Sequence, residues 1–158
     1  MNDMLERLTD GFPMKLMGGV FFLTLEKQLA MLLLFGILIF LDCFTRWIAI
    51  SHAHLVSCGR QPTFLEAVCG IREARRRRLI SSEIMKKRGT EKLILYNLCV
   101  AAGIVSDALL QEAGASTGGM AGIVVSYLAA TEALSVIENL SDAGVSSMTE
   151  LLKKLRGR

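Results

Sequence analysis

The sequence predicts an all-α integral membrane protein with about three transmembrane helices. Amphipathic helices are expected at the N-terminus, in a cytoplasmic loop and at the C-terminus. Of the 158 residues, 52% are hydrophobic, and the mean hydropathy is +0.45. Soluble domains are usually about 45–50% apolar. The apolar residues are also concentrated in three blocks between charge-dense segments, so we predict a single membrane domain over residues 1–158.

Each of the three apolar blocks has the length of a membrane-spanning helix. The blocks cover residues 29–50, 93–110 and 118–137. A helix needs about 20 residues to cross about 30 Å of hydrocarbon. Three such runs could not all be buried inside a soluble protein of this size, so we predict that they are the transmembrane helices.

The segment before the first span, residues 1–28, is predicted to be amphipathic and interfacial. Residues 14–25 are apolar, but Glu26 and Lys27 separate them from the span. Two alternatives remain for this segment: a helix lying in the membrane interface, or an outward extension of the first span. A separate fourth span is disfavoured because residues 14–25 are too few to cross the membrane.

Basic residues are distributed unevenly around the spans. The loop 51–92 contains ten Lys or Arg and four Glu, whereas the segment 111–117 has no basic residue. The C-terminal tail adds Lys153, Lys154, Arg156 and Arg158. Because short loops rich in Lys and Arg remain in the cytoplasm, we predict a cytoplasmic loop and C-terminus. The segment 111–117 and the N-terminus would then be external.

Two amphipathic helices are predicted outside the spans. One covers residues 63–84, near the membrane surface, and the other is the basic segment 146–158, with Ser147 and Glu150 as a capping box. The basic residues of the loop are expected to contact anionic lipid headgroups; these are Arg75, Arg76, Arg77, Arg78, Lys86, Lys87 and Arg88. The alternative is a solvated charged face. Nucleic acid is not an expected partner, because the loop lacks interleaved aromatic residues or a known reading module.

No pattern in the sequence indicates an enzyme. There is no phosphate-binding glycine motif, no nucleophile elbow and no convincing acid–base set. The spacing of His52, His54, Cys58 and Cys69 matches no common zinc pattern. We therefore expect no catalytic residues, no metal and no cofactor, and interpret these four as ordinary loop residues.

The most informative residues are the ionisable ones within the spans, Asp42, Asp107 and Glu132. A charge in the centre of a bilayer costs on the order of 2.5–3.5 kcal/mol on insertion scales, so such residues usually face a bundle interior or water. Arg46 lies one turn after Asp42 and can pair with it. Glu132 shares a helix face with two further polar residues. The predicted pore or interface residues are therefore Asp42, Arg46, Asp107, Glu132, Ser135 and Asn139. For Glu132 the alternative is a side chain that reaches water from the helix end.

The third span also has small residues at four-residue intervals. They are Gly118, Gly122, Ser126 and Ala130. Rows of small residues let helix backbones approach closely in lipid. This row predicts a helix-packing face and a homo-oligomer.

Residues 130–145, ATEALSVIENLSDAGV, resemble the signature of the clostridial-type phage and toxin-secretion holins. The matching positions are Glu132, Ser135, Glu138, Asn139, Leu140, Gly144 and Val145. Residues 77–92, RRLISSEIMKKRGTEK, resemble that family's pattern before its second span, and Asp107 falls where the span often ends with an acid. Asp42 and Thr45 fit its Asp-x-x-Thr. The chain departs from the family at Arg46, in a loop about twenty residues longer, and at Ser146-Ser147 in place of Pro-x-Pro.

The resemblance implies a pore-forming protein. Such proteins accumulate in the bacterial or phage-infected host's cytoplasmic membrane, assemble and open lesions that release an endolysin or toxin. An antiholin and a co-expressed endolysin are the further partners that it implies. The alternative is a non-conducting scaffold or accessory subunit of a larger, phage-derived complex, which span hydropathy does not distinguish from a pore.

Overall fold

The computed structural model describes residues 12–114 and 119–157. Within them the chain is all-helical, which confirms the predicted fold class. There are five helices: α1 (Phe12–Ser57), α2 (Phe64–Arg76), α3 (Ser82–Glu112), α4 (Met120–Asp142) and α5 (Ser146–Leu155).

Three of these helices are long and apolar enough to cross a membrane. They are Leu29–Ser57 within α1, the whole of α3 and the whole of α4. These three helices confirm the prediction of about three transmembrane segments. The helices continue past the predicted spans because hydropathy detects only the apolar part, whereas a helix continues until its backbone is capped. His52 and His54, predicted in a loop, therefore lie in the last turns of α1.

Helix α1 includes residues 14–28 without a break. Both alternatives for this segment place it in a helix. The chain divides into two units after Leu34, and the second unit, Phe35–Arg158, contains all the tertiary contacts described below.

Helix α2 begins with a capping box that the sequence analysis did not identify. The backbone N–H of Thr63 donates to Glu66 Oε2 at 2.7 Å, and the Glu66 N–H donates to Thr63 Oγ1 at 3.4 Å. The carboxylate of the exposed Glu66 accepts from the Thr63 backbone N–H and also from the Thr63 hydroxyl, at 2.9 Å; these two bonds, the backbone one above all, lower the pKa of Glu66. The box satisfies backbone donors that the first turn leaves without partners.

The helix predicted over residues 63–84 is interrupted in the structure. Helix α2 ends at Arg76, and Arg78 has a left-handed backbone (φ 59°). The Leu79 N–H bonds back to the Ala74 carbonyl at 3.0 Å, as in a Schellman motif. Helix α3 then starts after Ser81, whose hydroxyl accepts from the Ile84 N–H. The periodicity of the segment does not reveal this break, because Leu79 continues the helical spacing of the apolar residues although it lies between the two helices.

Helix α2 packs closely on the end of α1. Ala67 and Ala74 are fully buried, and Ala67 joins Ile48 and Ala143 in a small apolar core. A Cβ on Gly70 would lie 2.5 Å from Ser51 Oγ. Small residues on α2 thus allow this helix to lie directly against α1.

Helix α5 begins two residues earlier than a capping box at Ser147 would place it. Val145 is the N-cap and makes no side-chain cap hydrogen bond. The predicted box of Ser147 and Glu150 therefore does not form. Instead, the hydroxyls of Ser141 and Thr149 lie 2.9 Å apart and connect α4 to α5.

Candidate functional site

One polar network connects the three membrane-spanning helices. Each helix supplies a charged residue: Asp42 on α1, Lys92 on α3 and Glu132 on α4. Lys92 Nζ donates to Asp42 Oδ2 at 2.8 Å and to the two Glu132 oxygens at 3.0 and 3.2 Å. A single ammonium group therefore bridges carboxylates on the two other helices.

Glu132 is the most deeply buried charged residue of the network, with 1% of its surface exposed. Besides Lys92, the Tyr96 hydroxyl donates to Glu132 Oε1. Tyr96 follows Lys92 by one helical turn, so both donors lie on the same face of α3. The ring of Phe35 on α1 packs edge-on against Tyr96 at 5.5 Å between centroids. Both oxygens of the Glu132 carboxylate thus accept hydrogen bonds from groups of the same chain.

The other end of the network is centred on Asp42. Ser135 Oγ donates to Asp42 Oδ1 at 2.5 Å, and Asn139 Nδ2 donates to the same oxygen at 2.9 Å. Asn139 also lies 3.3 Å from the buried hydroxyl of Thr45. In this structure Glu132, Ser135 and Asn139 on α4 therefore face α1 and α3. We define the polar network as Asp42, Thr45, Lys92, Tyr96, Glu132, Ser135 and Asn139.

The network lies between the three spans, whereas much of their outer surface is apolar. Large hydrophobic side chains are exposed on the outside of all three spans; they include Ile37, Phe40, Ile94, Leu98, Ile123 and Tyr127. Ionised groups in a membrane are tolerated where they pair with one another or face water. Two carboxylates and one ammonium give the network a formal charge of −1 (−2 + 1). The charges are thus paired, with one negative charge in excess.

Two predicted site residues lie outside the network. Arg46 does not pair with Asp42; its guanidinium lies 3.6 Å from Asp142 in an exposed ion pair. Asp107 accepts hydrogen bonds from the backbone N–H groups of Met120 (2.7 Å) and Ala121 (3.0 Å). A carboxylate on α3 therefore caps the positive end of α4.

Three residues of the small-residue row predicted on the third span lie on an exposed face of α4. Gly122, Ser126 and Ala130 are exposed, and a Cβ on Gly122 would meet nothing within 4 Å. Gly118 lies outside the described residues. The glycine that does permit close packing is Gly103, where a Cβ would lie 2.8 Å from Ala121 Cα.

The basic residues predicted to contact lipid are all exposed. They occupy the end of α2 and the turn after it (Arg75, Arg76, Arg77, Arg78) and the start of α3 (Lys86, Lys87, Arg88). Arg77 is paired with Glu73 at 2.8 Å. Contact with headgroups stays a prediction.

Lys92 and Tyr96 are not among the site residues predicted from the sequence. Lys92 was counted with the basic loop, because it lies at the boundary of the apolar block. Tyr96 lies within the apolar block 93–110. The available signal was their four-residue spacing, which places an ammonium and a phenol on one helix face that enters the membrane.

The fold and the network define a helical membrane protein whose three spans meet at a cluster of charges, of which Glu132 is buried. The model of the bacteriophage holin family matches residues 62–157. The match covers more than half of the chain, so the chain belongs to the bacteriophage holin family, as the sequence resemblance indicated. The matched range includes Lys92 and Glu132, whereas Asp42 and Thr45 precede it. No curated protein and no solved structure matches the chain.

Proposed function

We propose that this protein assembles as a homo-oligomer in the bacterial cytoplasmic membrane and permeabilises it, so that an endolysin or a toxin is released. The single observation that carries the proposal is the polar network inside three apolar spans of a holin-family chain. The proposed activity is physical permeabilisation, without covalent catalysis.

The distribution of polar groups supports a subunit that can exist in two states. With the network between the spans, their exposed surface carries many large apolar side chains and suits a single subunit in lipid. The same groups could instead face water shared between subunits, since charged and amide side chains are tolerated in a membrane along a water-filled cavity. An opening lined by Asp42, Glu132 and Asn139 would need no other polar surface.

The exposed face of α4 supports the assembly step. Gly122, Ser126 and Ala130 are exposed among the described residues, and a second copy could approach closely along this row. Anionic lipid is the second proposed partner, at the exposed basic residues of α2 and α3. The proposed orientation places these residues and the C-terminus in the cytoplasm.

A second candidate is a non-conducting membrane scaffold of a larger complex. The observation that favours it is the closure of the network within one chain: Glu132 already has its partners at 1% exposure. Such a subunit could pack against other proteins without ever opening.

Dye efflux separates the two candidates. The full chain is reconstituted alone into vesicles of anionic and zwitterionic phospholipid. The vesicles contain a small dye and a fluorescent dextran of the size of a protein. We expect both probes to be released after a lag that becomes shorter as the density of protein in the vesicles rises. Over the same range of protein densities, crosslinking should detect oligomers. Intact vesicles with fully inserted, crosslinkable protein would reject the pore and favour the scaffold.

A further inference from the structure

We propose that Lys92 holds the subunit closed, and that its separation from Asp42 and Glu132 is the step that precedes opening. This inference rests on the proposed function and assigns the control of opening to one residue. We call the contacts of Lys92 with the two carboxylates the Lys92 bridge.

The geometry makes Lys92 the central group of the network. Among the described residues, its ammonium is the one cation in contact with either carboxylate of the network, and it contacts both, on α1 and on α4. The other nearby cation on α1, Arg46, pairs with Asp142 at the exposed surface. If any two of the three spans separate, Lys92 must therefore lose its contact with Asp42, with Glu132 or with both.

The charges determine the direction in which substitutions act. The parent network carries a formal charge of −1, and excess charge is more stable in contact with water than inside a bundle. Lys92→Met raises the excess to −2, so the open state should be favoured. Glu132→Gln leaves one ammonium and one carboxylate, with a formal charge of zero. The amide oxygen can still accept from Tyr96 and Lys92, so the closed state should be favoured.

The test measures the lag before dye efflux at equal amounts of inserted protein. An average interhelical hydrogen bond in a membrane changes an equilibrium about threefold, and Lys92 makes contacts with two helices. We expect Lys92→Met to shorten the lag about threefold or more, and Glu132→Gln to lengthen it by a similar factor. The double variant returns the charge to −1 and should move the lag back toward that of the parent.

The control is Lys154→Met, the same substitution at an exposed lysine of α5. We expect its lag to equal that of the parent. A second readout is the labelling rate of Cys43, next to Asp42 on α1, in a chain whose other three cysteines are replaced. A water-soluble thiol reagent should label Cys43 faster in Lys92→Met and more slowly in Glu132→Gln.

The outcomes are distinguishable. If the parent leaks, Lys92→Met shortens the lag and Glu132→Gln lengthens it, the Lys92 bridge controls opening; the reverse pattern contradicts the inference. If the parent leaks but both variants shift in the same direction, or neither shifts, Lys92 is only structural and the inference is wrong. If Lys92→Met does not insert, the lag of Glu132→Gln is the deciding measurement. A lag longer than that of the parent supports the inference, and an unchanged or shorter lag contradicts it. If the parent itself does not leak, the proposed function fails and the inference falls with it.

Discussion

Asn139 on α4 donates a hydrogen bond to the Asp42 carboxylate on α1 at 2.9 Å, across 97 positions of the chain. Asn139 is buried, and the same amide also lies 3.2 Å from the Asp42 carbonyl. The contact joins the first and third spans directly, independently of Lys92. It therefore provides a test of whether the network stabilises the bundle.

We expect Asn139→Ala to destabilise the protein by about 0.6–1.7 kcal/mol, the range measured for interhelical hydrogen bonds in membranes. The matched control is Asn97→Ala, because Asn97 is exposed and bonds only the Leu93 carbonyl of its own helix, at 2.7 Å. Thermal unfolding in detergent measures both. Equal losses of stability in Asn139→Ala and Asn97→Ala would mean that the hydrogen bonds of Asn139 to α1 do not stabilise the bundle.

Two glycines should respond differently to the same substitution. Gly103→Leu should separate α3 from α4, because even a Cβ there would lie 2.8 Å from the Ala121 backbone. Gly122→Leu should leave the subunit folded, because a Cβ there meets nothing within 4 Å. If Gly122 lies at a contact between copies, its substitution should weaken oligomers in crosslinking of native membranes. An unchanged crosslinking ladder would remove Gly122 from the interface.

The Asp107 carboxylate should stabilise the start of α4. Asp107→Ala removes the acceptor for both backbone N–H groups, and we expect a loss of about 0.5–2 kcal/mol, the usual cost of a lost helix cap. Asp107→Asn keeps one acceptor oxygen and should lose less, although its charge no longer favours the helix N-terminus. In thermal unfolding the parent should be the most stable, Asp107→Asn less stable and Asp107→Ala the least stable. Equal stability of the Ala and Asn variants would contradict a capping role.

Arg78 has a backbone conformation that glycine adopts without strain. At φ 59° it occupies the position after α2 where helices commonly end in glycine. We expect Arg78→Gly to be more stable than Arg78→Ala by about 1 kcal/mol, since both variants remove the charge and only Gly relieves the strain. The comparison is made by thermal unfolding in detergent. A more stable Ala variant would mean that this turn is not left-handed in the membrane.

The predicted orientation can be tested in the segment between α3 and α4. A cysteine at position 115, in a chain without its native cysteines, should react with an impermeant reagent added to intact cells. The reason is the concentration of basic residues in the loop 51–92 and the C-terminal tail. A cysteine at exposed Arg60 should react only after permeabilisation. The reverse pattern would overturn the orientation.

The sequence by itself determined the class of this protein. Runs of apolar residues predict membrane spans because crossing hydrocarbon requires a length that one helix supplies alone. The Glu-Asn-Leu segment at 138–140 likewise indicated the family, since it is a local pattern. Glu132, Ser135 and Asn139 were predicted to share a face because helical spacing is also local.

Only the tertiary structure decided what that face contacts. Glu132 meets Lys92 and Tyr96, and Asp42 meets Asn139, through contacts between residues 36 to 97 positions apart. Such contacts depend on how three helices are rotated and aligned, which hydropathy does not encode. Tertiary packing likewise gave Arg46 and Asp107 their partners and made Gly103, rather than Gly122, the close contact between α3 and α4. The physical reason is that a buried charge is stabilised by whichever opposite charge or donor the packed helices bring within hydrogen-bond distance, and not by the nearest one in the chain.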